Sequence, residues 1–393
     1  MPKRLPVLEE PASSLRKDGR RNLVHPADVS GRFTRLRYLV FALLIGAYVL
    51  LPFLKIGGHP ALFLDIEHRR FFLFGAAFNA QDFWLAFFLF TGIGFVLIVA
   101  TTLWGRIWCG YACPQTVFLE GIYRRIERWI EGPRELRLRR RRAGLSLGLI
   151  GRKLLKHLLF ALLTLALSHV FLSYFVSLPS LLEMMRGSPS EHPEAFGWMA
   201  GMSALVYFDF AWFREQLCLV ICPYGRLQSV LTDRDTMVIG YDGRRGEPRG
   251  KAADPEAADC VDCKRCVVVC PTGIDIRNGL QIECIGCAAC VDACDQIMEK
   301  LGRARGLIRY DSLNGLEGKP KRLRRPRLLL YAALGALGLI AATTAVRSHQ
   351  SFEANLLRSA GAPFARSEGQ IRNSFQVHLV NKRSEETTYI LEA

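Results

Sequence analysis

Five apolar stretches, each long enough to cross a bilayer, constrain this 393-residue chain more than anything else in it. A helix needs about 20 apolar residues to span the hydrocarbon core. The stretches run over 37–56, 83–104, 154–178, 196–217 and 328–346. The second, FWLAFFLFTGIGFVLIVATTLW, carries no charge, whereas the fourth holds Asp209 and ends in Arg214 and Glu215. One such stretch can be the buried helix of a soluble domain; five in one chain argue for a membrane bundle.

The charges between the stretches set an orientation. Lys and Arg number 8 in 1–36, 12 in 105–153 and 19 in 219–327. The alternate loops 55–82 and 179–195 hold 3 and 1. Basic loops stay on the cytoplasmic side, so the N-terminus is expected inside and the C-terminus outside. The net charge of +16 is therefore topological. The run RLRRRR, Arg137 to Arg142, reads as a segment facing lipid headgroups rather than nucleic acid. The first 36 residues lack the apolar core of a signal peptide.

Eight of the twelve cysteines lie in the long cytoplasmic loop. Cys260, Cys263, Cys266 and Cys270 form one run, with Pro271 after it. Cys284, Cys287, Cys290 and Cys294 form the second. This C-x-x-C-x-x-C-x-x-x-C pattern is that of a two-cluster ferredoxin, in which the fourth ligand of each [4Fe–4S] cluster comes from the other run. Cys260, Cys263, Cys266 and Cys294 are expected to hold one cluster, and Cys270, Cys284, Cys287 and Cys290 the other. Zinc at Cys260/Cys263 with Cys284/Cys287 would leave four regularly spaced cysteines unexplained, and disulfides do not suit a reducing compartment. Asp295 stands where bacterial ferredoxins have proline, without removing a ligand. The flanks GRRGEPRGK and GKPKRLRRPR read as linkers.

The other four cysteines form two C-x-x-x-C-P motifs, Cys109/Cys113 with Pro114 and Cys218/Cys222 with Pro223. Each follows a span running from outside to inside, with Arg106 or Arg214 just before it, which resembles an internal repeat. Cysteines at i and i+4 share a helical face. Four such thiols suit Cu(I), or a disulfide relay, or plain burial. A bis-histidine haem is disfavoured: His157 and His169 lie on one helix about 18 Å apart, and there is no C-x-x-C-H site. Asp209 is a functional candidate because it is ionisable within a span. Met184, Met185, Met199 and Met202 near the outer face read as packing rather than thioether ligands. In the tail, SFQVHLVN and TTYILE read as two β-strands.

The stretches WCGYACPQTVF, ICPYGRLQSVLTDRDTMVIGYDGRRGEPRG, CVDCKRCVVVCPTGIDIRNGLQIECIGCAACVDACDQIM and GLIRYDS resemble the cytochrome c oxidase accessory proteins of the CcoG/RdxA/FixG type, from about residue 30 to the end. Asp295 fits that family's pattern. The resemblance implies a predominantly α-helical bacterial inner-membrane protein, with five transmembrane helices, an inserted α+β two-cluster ferredoxin-like domain and a short β C-terminal tail. The organisation expected is a basic segment 1–36, four spans over 37–222, a cytoplasmic region 223–327 with the insert at 254–300, a fifth span 328–346, and a periplasmic tail 347–393 forming part of an immunoglobulin-like domain. The resemblance further implies an oxidoreductase that reduces Cu(II) to Cu(I) for assembly of a cbb(3)-type oxidase. Cys109, Cys113, Cys218 and Cys222 are then the candidate catalytic and copper-binding set. Expected partners are the membrane, oxidase subunits, copper-delivery proteins, an electron donor that the sequence does not name and a second copy in a homodimer, but not nucleic acid. A quinol-linked electron conduit and a non-enzymatic assembly scaffold are the competing readings.

Overall fold

The structure, a computed structural model, describes residues 24–347 apart from 67, 80, 81, 83, 145, 255, 321, 323 and 324, and in the tail 352–358, 364–367, 370–373, 375–381 and 387–390. The chain is mostly helical. Four helices are long and apolar enough to cross a membrane among the described residues: α1 (Arg32–Leu50), α2 (Trp84–Trp104), α3 (Leu147–Leu172) and, near the C-terminus, Pro326–Arg347. Their apolar side chains lie on the outside; Phe87, Phe90 and Val96 of α2 are 65%, 67% and 67% exposed. Apolar surface of that extent needs lipid rather than water to cover it.

The stretch expected at 196–217 is built differently. It is a 16-residue α-helix, α4 (Pro193–Phe208), continued by a π-helical turn, Asp209–Phe213. It stops at Arg214, whose φ is 52°. Polar side chains account for the break. Asp209 Oδ1 accepts from Gln115 Nε2 at 3.2 Å, and Arg214 turns away to bind Glu127 at 3.2 Å through Nη1. π turns of this kind recur at functional sites.

α2 packs on Pro326–Arg347, where Gly335 faces Phe95 and lets the two backbones approach. α3 packs on α4. Between them Tyr123, 1% exposed, stacks on Phe210 at 4.6 Å, meets Phe160 edge-on at 4.9 Å and shares a 2.7 Å hydrogen bond with Thr164.

One end of the bundle gathers residues 24–31, 105–143 and 214–325. There β4 (Val238–Tyr241) pairs antiparallel with a later strand, Ile308–Asp311, with Ile239 opposite Tyr310, and the helix Ala289–Lys300 packs against them. The start of α1 is fastened to that helix. Asp292 accepts hydrogen bonds from Phe33 N at 3.3 Å, Thr34 N at 2.8 Å and Thr34 Oγ1 at 2.7 Å. A carboxylate at a helix N-terminus satisfies orphan N–H groups and favours the dipole. The approach requires Gly31, because a Cβ there would overlap the Asp292 carboxyl. The flank GRRGEPRGK is fixed by contacts rather than a loose linker: Arg245 binds Asp259 at 2.7 Å and the carbonyls of Ala304 and Arg305.

The opposite end carries a three-stranded sheet that the sequence reading did not foresee: β1 (Leu62–Asp65), β2 (Arg70–Leu73) and β3 (Ala76–Asn79). Leu64 N donates to Tyr174 O, and Asn79 Nδ2 to Asn381 O. The tail differs from expectation. Phe375–Asn381 pairs antiparallel with Phe352–Arg358, upstream of it. Within TTYILE, residues 387–390 form no strand, and Tyr389 instead reaches the Asn381 side chain at 3.1 Å; Leu391 and Glu392 lie outside the described residues.

Glu127 is 2% exposed. Burial alone would raise its carboxyl pKa, but Arg214, Lys156 and Arg137 outweigh burial and hold it down to about 2. Its folded pKa lies below the unfolded value, so its stabilising contribution is present above the ordinary carboxylate range and is lost as pH falls toward 2. Glu127→Gln is expected to cost about 3–5 kcal/mol by leaving buried Arg214 without its counter-charge. Thermal unfolding in detergent, measured at neutral and acid pH, should show the variant less stable at neutral pH and closer to the unmutated protein in acid.

Candidate iron–sulfur and thiol centres

The two cysteine runs curl in the same way. In the first, the residues flanking the middle cysteine, Asp262 and Lys264, have φ of 47° and 55°; in the second, Gly286 and Ala288 have 67° and 59°. Left-handed backbone on both sides of the middle cysteine bends the chain back, so that three sulfurs face one space. Three of these four positions are not glycine, and such strain collects at functional sites. Only Gly286 hinted at it in sequence.

Cys260, Cys263, Cys266 and Cys294 line one cavity, with Tyr241, Met298 and Leu307. Cys270, Cys284, Cys287 and Cys290 line a second, with Ile239, Ile274 and Ile276, and Cys266 reaches its edge. The helix Ala289–Lys300 carries Cys290 and Cys294, one turn apart, and serves both cavities. Burial pushes the Cys266, Cys284 and Cys294 thiols up to about 12, so they hold their protons unless a metal displaces them. Among the described residues, no three His, Cys, Asp or Glu side chains converge as one ion would require. Four thiols set around an apolar cavity instead fit a cubane, which holds its sulfurs apart.

The two C-x-x-x-C-P motifs repeat in structure as in sequence. Cys109 lies in a short helix, Ile107–Tyr111, and Cys218 in a π-helical turn, Leu217–Ile221. Cys113 and Cys222 are the N-caps of the helices Pro114–Phe118 and Pro223–Leu231, with ψ of 126° and 112°. Proline forces the residue before it out of helical geometry and is itself at home as the first helical residue. Each pair therefore straddles a break rather than sharing one continuous helical face, as the i, i+4 spacing had implied.

The two motifs meet. Gln228, fully buried behind Cys222, donates to Cys109 Sγ from Nε2 at 3.3 Å. Gln115, just after Cys113, donates to Arg214 O at 3.0 Å. Cys218 lies within electrostatic reach of Cys113, Cys109 and Cys222. The two arginines of the apparent repeat do different work. Arg106 donates to Gly225 O at 2.8 Å and to Ile282 O, tying both motifs to the ferredoxin loop, whereas Arg214 is the buried partner of Glu127.

That loop lies directly on the first motif. A Cβ at Gly110 would stand 2.8 Å from Ile285 O and 3.0 Å from Cys287 Cα; one at Gly286 would stand 3.0 Å from Arg106 O. Two glycines thus let the chain around Cys109 touch the chain around Cys287, backbone to backbone. On the far side of the second cavity, Arg124 donates to Pro271 O at 3.2 and 3.1 Å. The other ionisable candidates have local partners: Asp209 has Gln115, and His157 Nδ1 lies 2.8 Å from the Tyr207 hydroxyl.

Comparison with known proteins finds iron–sulfur domains in this chain. Residues 213–313 match a 4Fe-4S dicluster domain, residues 84–142 a 4Fe-4S binding domain, and residues 342–393 the IG-like fold at the C-terminal of FixG. The nitrogen fixation protein FixG of Rhizobium meliloti is 34% identical over 95% of this chain and 79% of its own. Protein RdxA of Cereibacter sphaeroides is 35% identical over 94% and 82%, and protein RdxB of the same organism 36% identical over 94% and 81%. No solved structure matches. With the cysteine cavities, the apolar helices and these relatives taken together, the chain belongs to the FixG/RdxA family of membrane iron–sulfur electron-transfer proteins.

Proposed function

We propose that this protein is a Cu(II) reductase of the bacterial inner membrane that supplies Cu(I) for assembly of a cbb(3)-type oxidase. The observation that carries the proposal is the packing of Gly110 on Cys287. In this reading Cys260, Cys263, Cys266 and Cys294 hold one [4Fe–4S] cluster, and Cys270, Cys284, Cys287 and Cys290 the other. When bound, the clusters supply electrons one at a time, at a site within contact of the Cys109 motif.

The protein's own groups do the rest. The thiols of Cys109, Cys113, Cys218 and Cys222 bind the copper substrate, two to an ion because no three of them converge, and soft sulfur favours Cu(I) over Cu(II). Each ion takes up one electron and leaves as Cu(I). Gln228 orients the Cys109 sulfur, and Arg106 fixes the loop between the two centres. The proposed topology has five spans, α4 with its π turn being one. The insert is cytoplasmic because it shares its end of the bundle with the basic segment 105–143. The tail, next to the 62–79 sheet, is periplasmic. Oxidase subunits and copper-delivery proteins are the proposed partners.

A quinol-linked conduit is the second reading. A largely apolar cleft favours it, lined by Trp104 at the end of α2, Ile107, Met237, Leu280, Ile282 and Cys284. Its position between a membrane helix and a cavity cysteine would suit a quinol headgroup.

Three results are expected. Protein purified without oxygen carries about eight iron atoms, and Cys270→Ser about four. Dithionite-reduced protein mixed with Cu(II) forms one Cu(I) for each electron lost by its iron–sulfur chromophore; copper that stays Cu(II) sinks the reductase reading. Cys109→Ser with Cys218→Ser keeps the iron but slows copper reduction at least tenfold, whereas full activity in that variant would remove the thiols from the mechanism. Rapid reduction by a quinol analogue with no response to copper would favour the second reading.

A further inference from the structure

Arg37, in the second turn of α1, is 6% exposed. Its Nε donates to Gly110 O at 3.1 Å, and its guanidinium lies 5.3 Å from the Phe41 ring centre. Its Nη2 is buried without a hydrogen-bond partner. Among the described residues no carboxylate lies within ion-pair distance of it. The nearby acid, Glu120, is already bound by Arg124. The Gly110 whose carbonyl it holds packs on Cys287, where a Cβ would stand 3.0 Å from Cys287 Cα. A buried cation needs an anion.

The first cavity is lined by three cations, of which Lys264 is exposed to water, Arg265 donates to Asp28 O at 2.7 Å and Arg277 is neutralised. Arg277 is bound by Asp275 at 2.6 Å and by Asp262. Asp295 adds negative charge beside Cys294. At the second cavity, Arg106 lies near Cys284 and is held only by the carbonyls of Ile282 and Gly225. The second cavity thus faces Arg37, buried from solvent screening and bound by no carboxylate among the described residues, together with Arg106.

We infer that Arg37 is the counter-cation of the anionic cluster at the second cavity and makes that site the more easily reduced of the two. An extra electron makes such a group more negative, and an unpaired cation in a low-dielectric setting stabilises that form. The inference rests on the proposed cluster assignment. Missing iron would defeat that assignment; wrong potentials at full iron would defeat only the role of Arg37.

The test is a redox titration followed by low-temperature electron paramagnetic resonance, with iron measured alongside. The higher-potential transition should be the one that Cys270→Ser removes. Arg37→Gln should lower it by at least tenfold in the reduction equilibrium, about 59 mV for one electron, and leave the other transition in place. Arg37→Lys should keep most of the original value. A higher-potential transition that belongs to the first cavity overturns the inference, as does an Arg37→Gln effect that is absent or equal at both sites. If Arg37→Gln does not accumulate, the unmutated order decides: a higher-potential transition that survives in Cys270→Ser contradicts the inference.

Discussion

The backbone contact between Gly110 and Cys287 is the constraint on which the rest of the site depends. It holds the ferredoxin loop against the membrane thiol motif with no side chain between them. Arginine side chains from the membrane side then close over the contact. Arg106 clamps Ile282 and Gly225, Arg37 takes the Gly110 carbonyl from the α1 side, and Arg124 holds Pro271 behind the second cavity. The insert is therefore part of one end of the bundle and not a domain on a tether. Asp292 extends the same logic to α1, because the helix that carries Cys290 and Cys294 also caps the first membrane helix.

The charges in this interface are unusual for their depth. Arg214 and Glu127 are buried as a pair, Arg124 sits between Glu120 and Glu215, and Arg37 is buried with no acid of its own. Buried pairs are weak evidence of stability; here they fix geometry. The Arg214–Glu127 and Arg124–Glu215 pairs draw together segments 87 and 91 residues apart in sequence, beside the π turn Asp209–Phe213.

Much of this was legible in the sequence, and for physical reasons. A span needs a long apolar run, and a cluster site needs cysteines at spacings fixed by a tight loop; both leave patterns in a single chain. The repeat of the two C-P motifs was legible as well, but not the chain break at each, because the i, i+4 spacing pointed to one helical face. The rest depends on contacts across more than seventy residues. Nothing around Arg37 or Asp292 marks them out, because their partners, Gly110 and Thr34, are identified only once the chain is folded. The left-handed turns at Asp262, Lys264 and Ala288 escape a reading that looks for glycine. The 62–79 sheet was hidden by strands of four residues, and the second tail strand was misread because Phe375–Asn381 pairs backward in sequence.

The central claim is that electrons reach copper through the Gly110–Cys287 contact, and a wedge placed there tests it most directly. Gly110→Val keeps all twelve cysteines but forces the two backbones apart. With anaerobic stopped-flow mixing of reduced protein and Cu(II), the reoxidation rate of the iron–sulfur chromophore should fall at least tenfold at unchanged iron content. An unchanged rate at full iron content would show that copper is reduced elsewhere and would contradict the account.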